Sequence, residues 1–293
     1  MTRISLRAAV PWAAALLLGA ACGRDRPEGT SGHTSLVAAG DISSCYWRGD
    51  EATARLIDDI PGVVAPLGDV VYQSGTESQF RDCYHPTWGR HRDRSRPAIG
   101  NHEWRTEKGA PYFAYFGERA GPAGKGWYSY ELDGWHVIVL NSMLPVVEGS
   151  EQMDWLRDDL RAHPTRCALA YFHHPAFSSG DHGGSSKMHE AWRVMQDAGV
   201  DVILSGHDHH YERFAPQTAD ARRDDRRGIR QFVVGTGGAP SYRVPPERQP
   251  NSEVFGNDVR GVLRMDLQSD AYAWEFVPIV GRTFRDSGRA ACH

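Results

Sequence analysis

Cysteine is scarce in this chain, net charge is slight, and long apolar runs are nearly absent. Five cysteines in 293 residues exclude a small scaffold built on disulfides. None of them falls in the polar motifs described below, which argues against a thiolate-bound structural zinc there. A formal charge of −4, from 33 basic and 37 acidic residues, gives no field that would draw the chain onto nucleic acid or an anionic membrane. An anionic substrate would have to be held by local positive charge, from metal ions or a few placed histidines. The one marked apolar run, residues 8–21, is shorter than the ~20 residues of a spanning helix, and no internal repeat is evident. With 40% apolar residues over this length, one large core can be buried without obligatory disulfides.

The N-terminus reads as a targeting segment. Arg3 and Arg7 precede the alanine- and leucine-rich run, so residues 1–22 are expected to be a signal peptide. The run ends in Leu17, Leu18, Gly19, Ala20, Ala21 and Cys22. This resembles the lipobox of bacterial lipoproteins, although Gly19 stands where a leucine is usual. Membrane association would come only through a lipid on Cys22. Residues 23–34 are polar and glycine-rich, as a flexible tether would be, and residues 35–293 are expected to fold. The expected location is outside the cytoplasm, secreted or anchored at the cell surface. Setting Cys22 aside leaves Cys45, Cys83, Cys167 and Cys292, an even number that suits an oxidising compartment. Three pairings are open. Cys45 with Cys83 and Cys167 with Cys292 is preferred, because Cys45 and Cys83 each closely follow one of the polar motifs; four unpaired thiols are the alternative.

Short apolar runs at 35–39, 63–67, 96–99, 135–140, 168–172 and 202–204 read as strands, with helical patterns at 52–60, 152–162 and 188–198 between them. Runs at 231–234, 261–267 and 272–277 carry little helix between them, so the C-terminal third should be more antiparallel. Ligands of α/β sheets collect at the carboxyl ends of strands, and here those ends carry Asp41, Asp69, Asn101, His173 and His207. A lone aspartate after a strand is ordinarily a turn residue or helix cap. Several such ends together, holding two aspartates, an asparagine and histidines, form a set suited to zinc, iron or manganese.

With the blocks Gly40-Asp41, Gly68-Asp69-Val70-Val71-Tyr72, Gly100-Asn101-His102-Glu103, His173-His174-Pro175 and Gly206-His207-Asp208-His209, the chain resembles the calcineurin-like metallophosphoesterases and, within them, the purple acid phosphatases. The blocks occur in the family's order over nearly the whole chain after the tether. The resemblance implies a four-layer α/β/β/α sandwich with a single catalytic domain at 35–293. It also implies two metal ions: Asp41, Tyr72 and His209 would hold the first, ferric in the purple enzymes, and Asn101, His173 and His207 a divalent iron, zinc or manganese. Asp69 would bridge the two. Plant purple enzymes carry a further N-terminal β-domain for which too few residues precede Asp41, so a more open cleft is expected.

The first block departs from the pattern. The wider family has Asp-x-His and the purple enzymes Asp-x-Gly, whereas Ser43 stands here. Tyr72 is the expected replacement for the missing ligand, and a merely half-buried tyrosine is the alternative. Attack of a metal-activated hydroxide on a phosphomonoester is the implied reaction, with His102 contacting the phosphoryl oxygens and Glu103 orienting that imidazole. His182, in a glycine- and serine-rich loop expected to be a mobile rim, is a second catalytic candidate. His174 and His210 are expected to fix ligand geometry. Trp88, Trp104 and Trp127 are the tryptophans expected near the cleft; His33, His85, His91, His136, His163, His189 and His293 fit no block. The partner would be a small phosphorylated substrate. The same ion pair would also serve a phosphodiesterase or nucleotide hydrolase, and a noncatalytic surface protein binding metal or phosphate is the reading from another class.

Overall fold

Strands form here where β-branched and small apolar residues run between turn residues. The computed structural model describes residues 1–2, 34–243 and 246–293; residues 3–22 of the expected signal peptide, Cys22 among them, and the tether up to residue 33 lie outside the described residues. In chain order the strands are β1 (Thr34–Ala39), β2 (Ser43–Ser44), β3 (Val63–Pro66), β4 (Val71–Tyr72), β5 (Tyr128–Leu132), β6 (Trp135–Val139), β7 (Cys167–Tyr171), β8 (Val202–Ser205), β9 (Tyr211–Phe214), β10 (Arg230–Val234), β11 (Ser252–Gly256), β12 (Gly261–Leu267), β13 (Ala271–Pro278) and β14 (Ser287–Ala291). They make a five-stranded sheet in the order β14-β13-β12-β1-β3, a seven-stranded sheet in the order β11-β9-β10-β8-β7-β6-β5, and the small pair β2-β4.

Side chains on a strand alternate between its two faces, and in the seven-stranded sheet that alternation separates two cores. Val137, Val139, Leu169, Tyr171, Val202, Leu204, Phe232 and Val234 face the five-stranded sheet and share a core with Leu36, Val64, Leu263 and Met265. Their neighbours Ile138, Ala168, Ala170, Ile203 and Val233 face outward and are covered by Met153 and Leu156 of the helix Glu151–Ala162 and by Ala191, Trp192 and Met195 of the helix His189–Asp197. Each fully buried Val, Leu, Ile, Phe or Met side chain stabilises the fold by ~1.5–3 kcal/mol relative to exposure. The helix Gly49–Asp58 turns Ala54 and Ile57 into the first core and packs along β12. The layers are therefore helix, sheet, sheet, helix, as expected.

At their carboxyl ends the two sheets are stitched together by backbone hydrogen bonds. Gly40 N–H donates to the Val234 carbonyl at 2.9 Å, Gly237 N–H to the Gly40 carbonyl at 2.9 Å, and Ala239 N–H to the Asp41 carbonyl at 2.9 Å. β1 runs parallel to β3 in one sheet and β7 parallel to β8 in the other, so the loops that follow all four emerge at this seam.

Two sequence expectations differ from the structure. Residues 96–99 are not a strand; Ser95 and Ala98 make isolated bridges to Val64 and Leu67, and Asn101 opens a short helix, Asn101–Trp104. Strands β5, β11 and β14, which the sequence pattern did not mark, lie at sheet ends, where little burial is required and the alternation of apolar residues is weak; β9, also unmarked, is an interior strand whose four residues include the charged Glu212 and Arg213. The preferred cysteine pairing is present: Cys45–Cys83 and Cys167–Cys292 are disulfides with Cα separations of 5.1 and 5.4 Å.

Candidate metal centre

Three of the strand-end residues sit in the left-handed backbone region, with φ of 61° at Asp41, 48° at Asp69 and 72° at His207. Non-glycine residues adopt that conformation at a cost, and such strain concentrates at functional sites. The turn at each strand end reverses the chain within a residue or two and throws the side chain into the seam between the sheets. Glycine is needed beside them for space. A Cβ at Gly68 would stand 2.6 Å from His173 Nδ1, and one at Gly100 would stand 2.2 Å from both Asp69 N and its Oδ1.

Two foci result. At the first, the Tyr72 hydroxyl lies 2.9 Å from Asp41 Oδ1, 3.4 Å from Asp69 Oδ2 and 3.0 Å from His209 Nε2. At the second, His173 Nε2 lies 3.1 Å from Asn101 Oδ1, 3.2 Å from His207 Nδ1 and 3.2 Å from Asp69 Oδ2. One oxygen, Asp69 Oδ2, belongs to both. All seven candidate ligands thus lie together around these two foci.

Burial opposes ionisation of Asp41 and Asp69. The facing imidazoles, chiefly His209 for Asp41 and His173 for Asp69, outweigh it and hold both carboxyls below their usual range. Ring tautomers are set from outside the site. His173 Nδ1 donates to the Leu67 carbonyl at 2.9 Å and His209 Nδ1 to the Pro240 carbonyl at 2.7 Å. Each therefore keeps its Nδ1 proton on a carbonyl and turns Nε2 inward, the nitrogen that a metal ion would take in exchange for a proton. Two buried carboxylates, a phenol, an amide oxygen and three inward nitrogens, crowded around two points with no lysine or arginine among them, are a donor set that fits a pair of metal ions.

The residues around this set divide by what they touch. His102 donates Nδ1–H to the Gln73 carbonyl at 2.6 Å, and its Nε2 lies 3.7 Å from Asp69 Oδ2. Burial pushes its pKa down, leaving a neutral ring whose free nitrogen faces the site. Glu103 does not hold this imidazole. It is fully buried and accepts from Val71 N–H at 3.1 Å and Gly100 N–H at 3.0 Å, fastening the Asn101 turn to the Tyr72 turn. His174 packs its ring 4.3 Å from that of His207, receives Ser142 at 2.8 Å and is lowered to about 3, first by burial and then by His173. His210 faces away from the ligands and meets Glu212 at 3.2 Å.

His182 is part of the site: its ring centroid lies 4.6 Å from that of His207. Its loop is anchored rather than a free rim. Ser178 and Ser179 are buried; Ser178 donates to Asp208, His182 N–H donates to Asp208 at 3.0 Å, and Ser179 N–H and hydroxyl donate to Glu212 at 2.8 and 2.5 Å. Ser43, at the departure from the family pattern, turns to Thr87 at 3.3 Å and leaves the first focus to Tyr72.

Sequence reasoning missed Asp208 as an anchor, although it lies inside a block it had recognised. It also missed Tyr242, whose ring stacks on His209 at 4.0 Å with the hydroxyl 3.1 Å from His209 Nε2, and Arg105, whose guanidinium meets the Gln73 carbonyl beside His102 at 3.2 Å. Neither belongs to a block, so no local signal marked them. Trp47, which the sequence did not single out, lies 5.2 Å from Tyr72; of the tryptophans expected near the cleft, Trp88 lies in the core, bonded to Thr53 at 3.0 Å, and Trp127 is buried in the outer core.

A family model described as calcineurin-like phosphoesterase matches residues 34–211. Purple acid phosphatase 18 of Arabidopsis thaliana is 28% identical over 269 residues, covering 82% of this chain and 58% of that protein. The phosphoenolpyruvate phosphatase of Allium cepa is 31% identical over 223 residues, covering 64% and 46%. This chain thus spans about half the length of the curated relatives it matches. In fold it is similar to a purple acid phosphatase from yellow lupin (Lupinus luteus) seeds, with a TM-score of 0.74, 19% identity and coverage of 90% of this chain and 54% of that one. Since the family model spans more than half of the chain, the protein belongs to the calcineurin-like phosphoesterases, with distant homology to the plant purple acid phosphatases.

Proposed function

We propose that this protein hydrolyses phosphomonoesters outside the cytoplasm at a binuclear metal centre of the purple acid phosphatase type. One observation carries the reading: two groups of candidate ligands share Asp69 Oδ2, with Tyr72 completing the first group where Ser43 offers no ligand. Asp41, Tyr72 and His209 would hold one ion, Asn101, His173 and His207 the other, and Asp69 both. When bound, such a pair supplies Lewis acidity toward the phosphoryl oxygens and a water of lowered pKa. Burial, Asp41 and Asp69 push the Tyr72 phenol well above 10, so a strongly charged ion, ferric iron above all, is needed to hold it as a phenolate. Hard anionic oxygens at the first position and imidazoles with an amide at the second favour a trivalent ion beside a divalent one.

His102 lies against Tyr72, ring centroids 4.2 Å apart, and His182 against His207, 4.6 Å apart. His102 is placed to contact the phosphoryl group through Nε2, and His182, positioned by Asp208, is placed to pass a proton to the leaving oxygen. The two disulfides suit an oxidising compartment. The test is to purify the chain, measure its metals and visible spectrum, and compare hydrolysis of an aryl phosphate with that of a bis-aryl phosphate. A visible tyrosinate-to-iron band with faster monoester hydrolysis is expected. Faster diester hydrolysis would overturn the substrate reading, and a colourless, zinc-only active protein would overturn the purple-type assignment.

A further inference from the structure

Two histidines that fit no motif meet a buried carboxylate at the far end of the seven-stranded sheet. His136, the second residue of β6, is 1% exposed, and Asp159, in the last turn of the helix Glu151–Ala162, is 7% exposed. His163 follows that helix, one turn beyond Asp159, with its side chain 47% exposed. His136 Nε2 lies 2.8 Å from Asp159 Oδ2, and His163 Nδ1 lies 3.3 Å from Asp159 Oδ1. The three ligand atoms lie within 4.8 Å of one another. His136 pairs in register with Ala168 of β7, and His173 stands five residues further along, ~16 Å away at strand rise. The cluster is therefore separate from the centre at the seam.

Protons alone could make some of these contacts, but three features go further. His136 Nδ1 is engaged by Glu131 at 2.7 Å, which orients the ring and turns Nε2 inward, the carboxylate–histidine arrangement that supports metal-bound imidazoles. The two imidazoles lie nearly parallel, 4.7 Å apart at 16°, and both address the same carboxylate. One cation between the two nitrogens and the carboxylate would engage all three groups at once. Ligands ~2.1 Å from a zinc-sized ion stand ~3–3.5 Å apart in tetrahedral geometry, a range that includes the 3.3 Å between His163 Nδ1 and Asp159 Oδ1. Ser129 donates to Asp159 Oδ1 at 2.7 Å, fixing the carboxylate. His163 Nδ1 also donates to the Asp159 carbonyl at 2.9 Å, a bond this half-exposed ring gives up to turn toward the ion. The cluster opens on a cavity of about 480 Å³ lined in part by His136, His163, Arg157, Arg161 and Thr165.

We infer that His136, Asp159 and His163 form a second metal site, taking a single divalent ion of the zinc class with its fourth position open to that cavity. Two imidazoles and one carboxylate favour zinc or a similar borderline ion over calcium or magnesium. The ion pins the end of the helix Glu151–Ala162 to β6. The test is zinc titration of the full chain after chelator treatment, read as bound equivalents, together with phosphoester hydrolysis. Three equivalents are expected, falling to two in His163→Ala with hydrolysis unchanged. In an Asp69→Asn background the equivalent at this site should remain and disappear when His163→Ala is added. Glu131→Gln should weaken the same equivalent by ~10–100-fold, and His85→Ala, outside the cluster, should leave it intact. Equal stoichiometry in the native chain and His163→Ala, or an equal loss in His85→Ala, would overturn the site.

Discussion

Replacing Gly100 by alanine isolates a single steric effect at the metal centre. Gly100 has φ −108° and ψ 179°, extended backbone open to alanine, so the substitution carries no conformational penalty. The new Cβ would stand 2.2 Å from Asp69 N and from Asp69 Oδ1, and 2.9 Å from Asp69 Cγ. Ordinary contacts begin near 3.4 Å, so Asp69 or the Asn101 turn must move by roughly 1 Å. Metal–ligand distances tolerate only about ±0.2 Å, and a misplacement of ~1 Å is enough to cost ~100-fold in rate. Overpacking should also cost the fold about 1–3 kcal/mol. Gly100→Ala should therefore remain folded, with a melting midpoint a few degrees lower, while losing metal at both positions and at least ~100-fold in kcat/KM. Metal analysis, circular dichroism and aryl phosphate hydrolysis measure the three quantities. Full metal occupancy with activity within a few-fold of the native chain would refute the reasoning that Asp69 is held in place by the absence of a side chain at Gly100.

Other residues give further tests. Tyr72→Phe removes the hydroxyl that contacts Asp41, Asp69 and His209; the iron-loaded protein should lose its visible band and hold the first ion more weakly, and an unchanged spectrum would remove Tyr72 from the ligand set. Opening the Cys167–Cys292 bridge, which closes 125 residues of sequence, should cost about 2–4 kcal/mol, and denaturant unfolding of the double serine variant measures it. His136 supplies a pH test. Burial works against its charged form, but hydrogen bonds to Asp159 and Glu131 outweigh burial and raise its pKa above 6.5. A raised folded value means that the stabilisation is complete below the unfolded value of ~6.5 and fades as pH rises through the folded one. With chelator present, the thermal advantage of the native chain over His136→Gln should therefore shrink on the alkaline side. An advantage that grows with pH would show the sign to be wrong.

Much of the site was legible because metal chemistry restricts residue types, and turns at strand ends restrict their neighbours. Asp41, Asp69, Asn101, His173 and His207 could be picked out since each follows a turn with glycine or a second histidine, and the turn itself imposes the left-handed backbone at Asp41, Asp69 and His207. What escaped lies between elements far apart in sequence. The buried Glu103 carboxylate has two backbone donors, Val71 and Gly100, on different loops, so adjacency to His102 was a misleading guide to its role. The loop carrying His182 looked free by composition, yet Asp208 and Glu212 hold it from the next strand connection. Edge strands were obscured by their polarity, as in β14, where alternate residues are exposed.

By itself the sequence determined most of the helix-and-strand order, the interior strand β9 excepted, and the donor residues at the strand ends, because burial periodicity and donor chemistry are local properties of the chain. The division of the candidate ligands into two groups came from the resemblance to the purple acid phosphatases. Tertiary structure alone decided which nitrogen of each imidazole faces inward, which loop holds His182, and that His136, Asp159 and His163 meet at all. Those outcomes depend on hydrogen-bond partners and register between strands and helices distant in sequence, and no local pattern encodes that geometry.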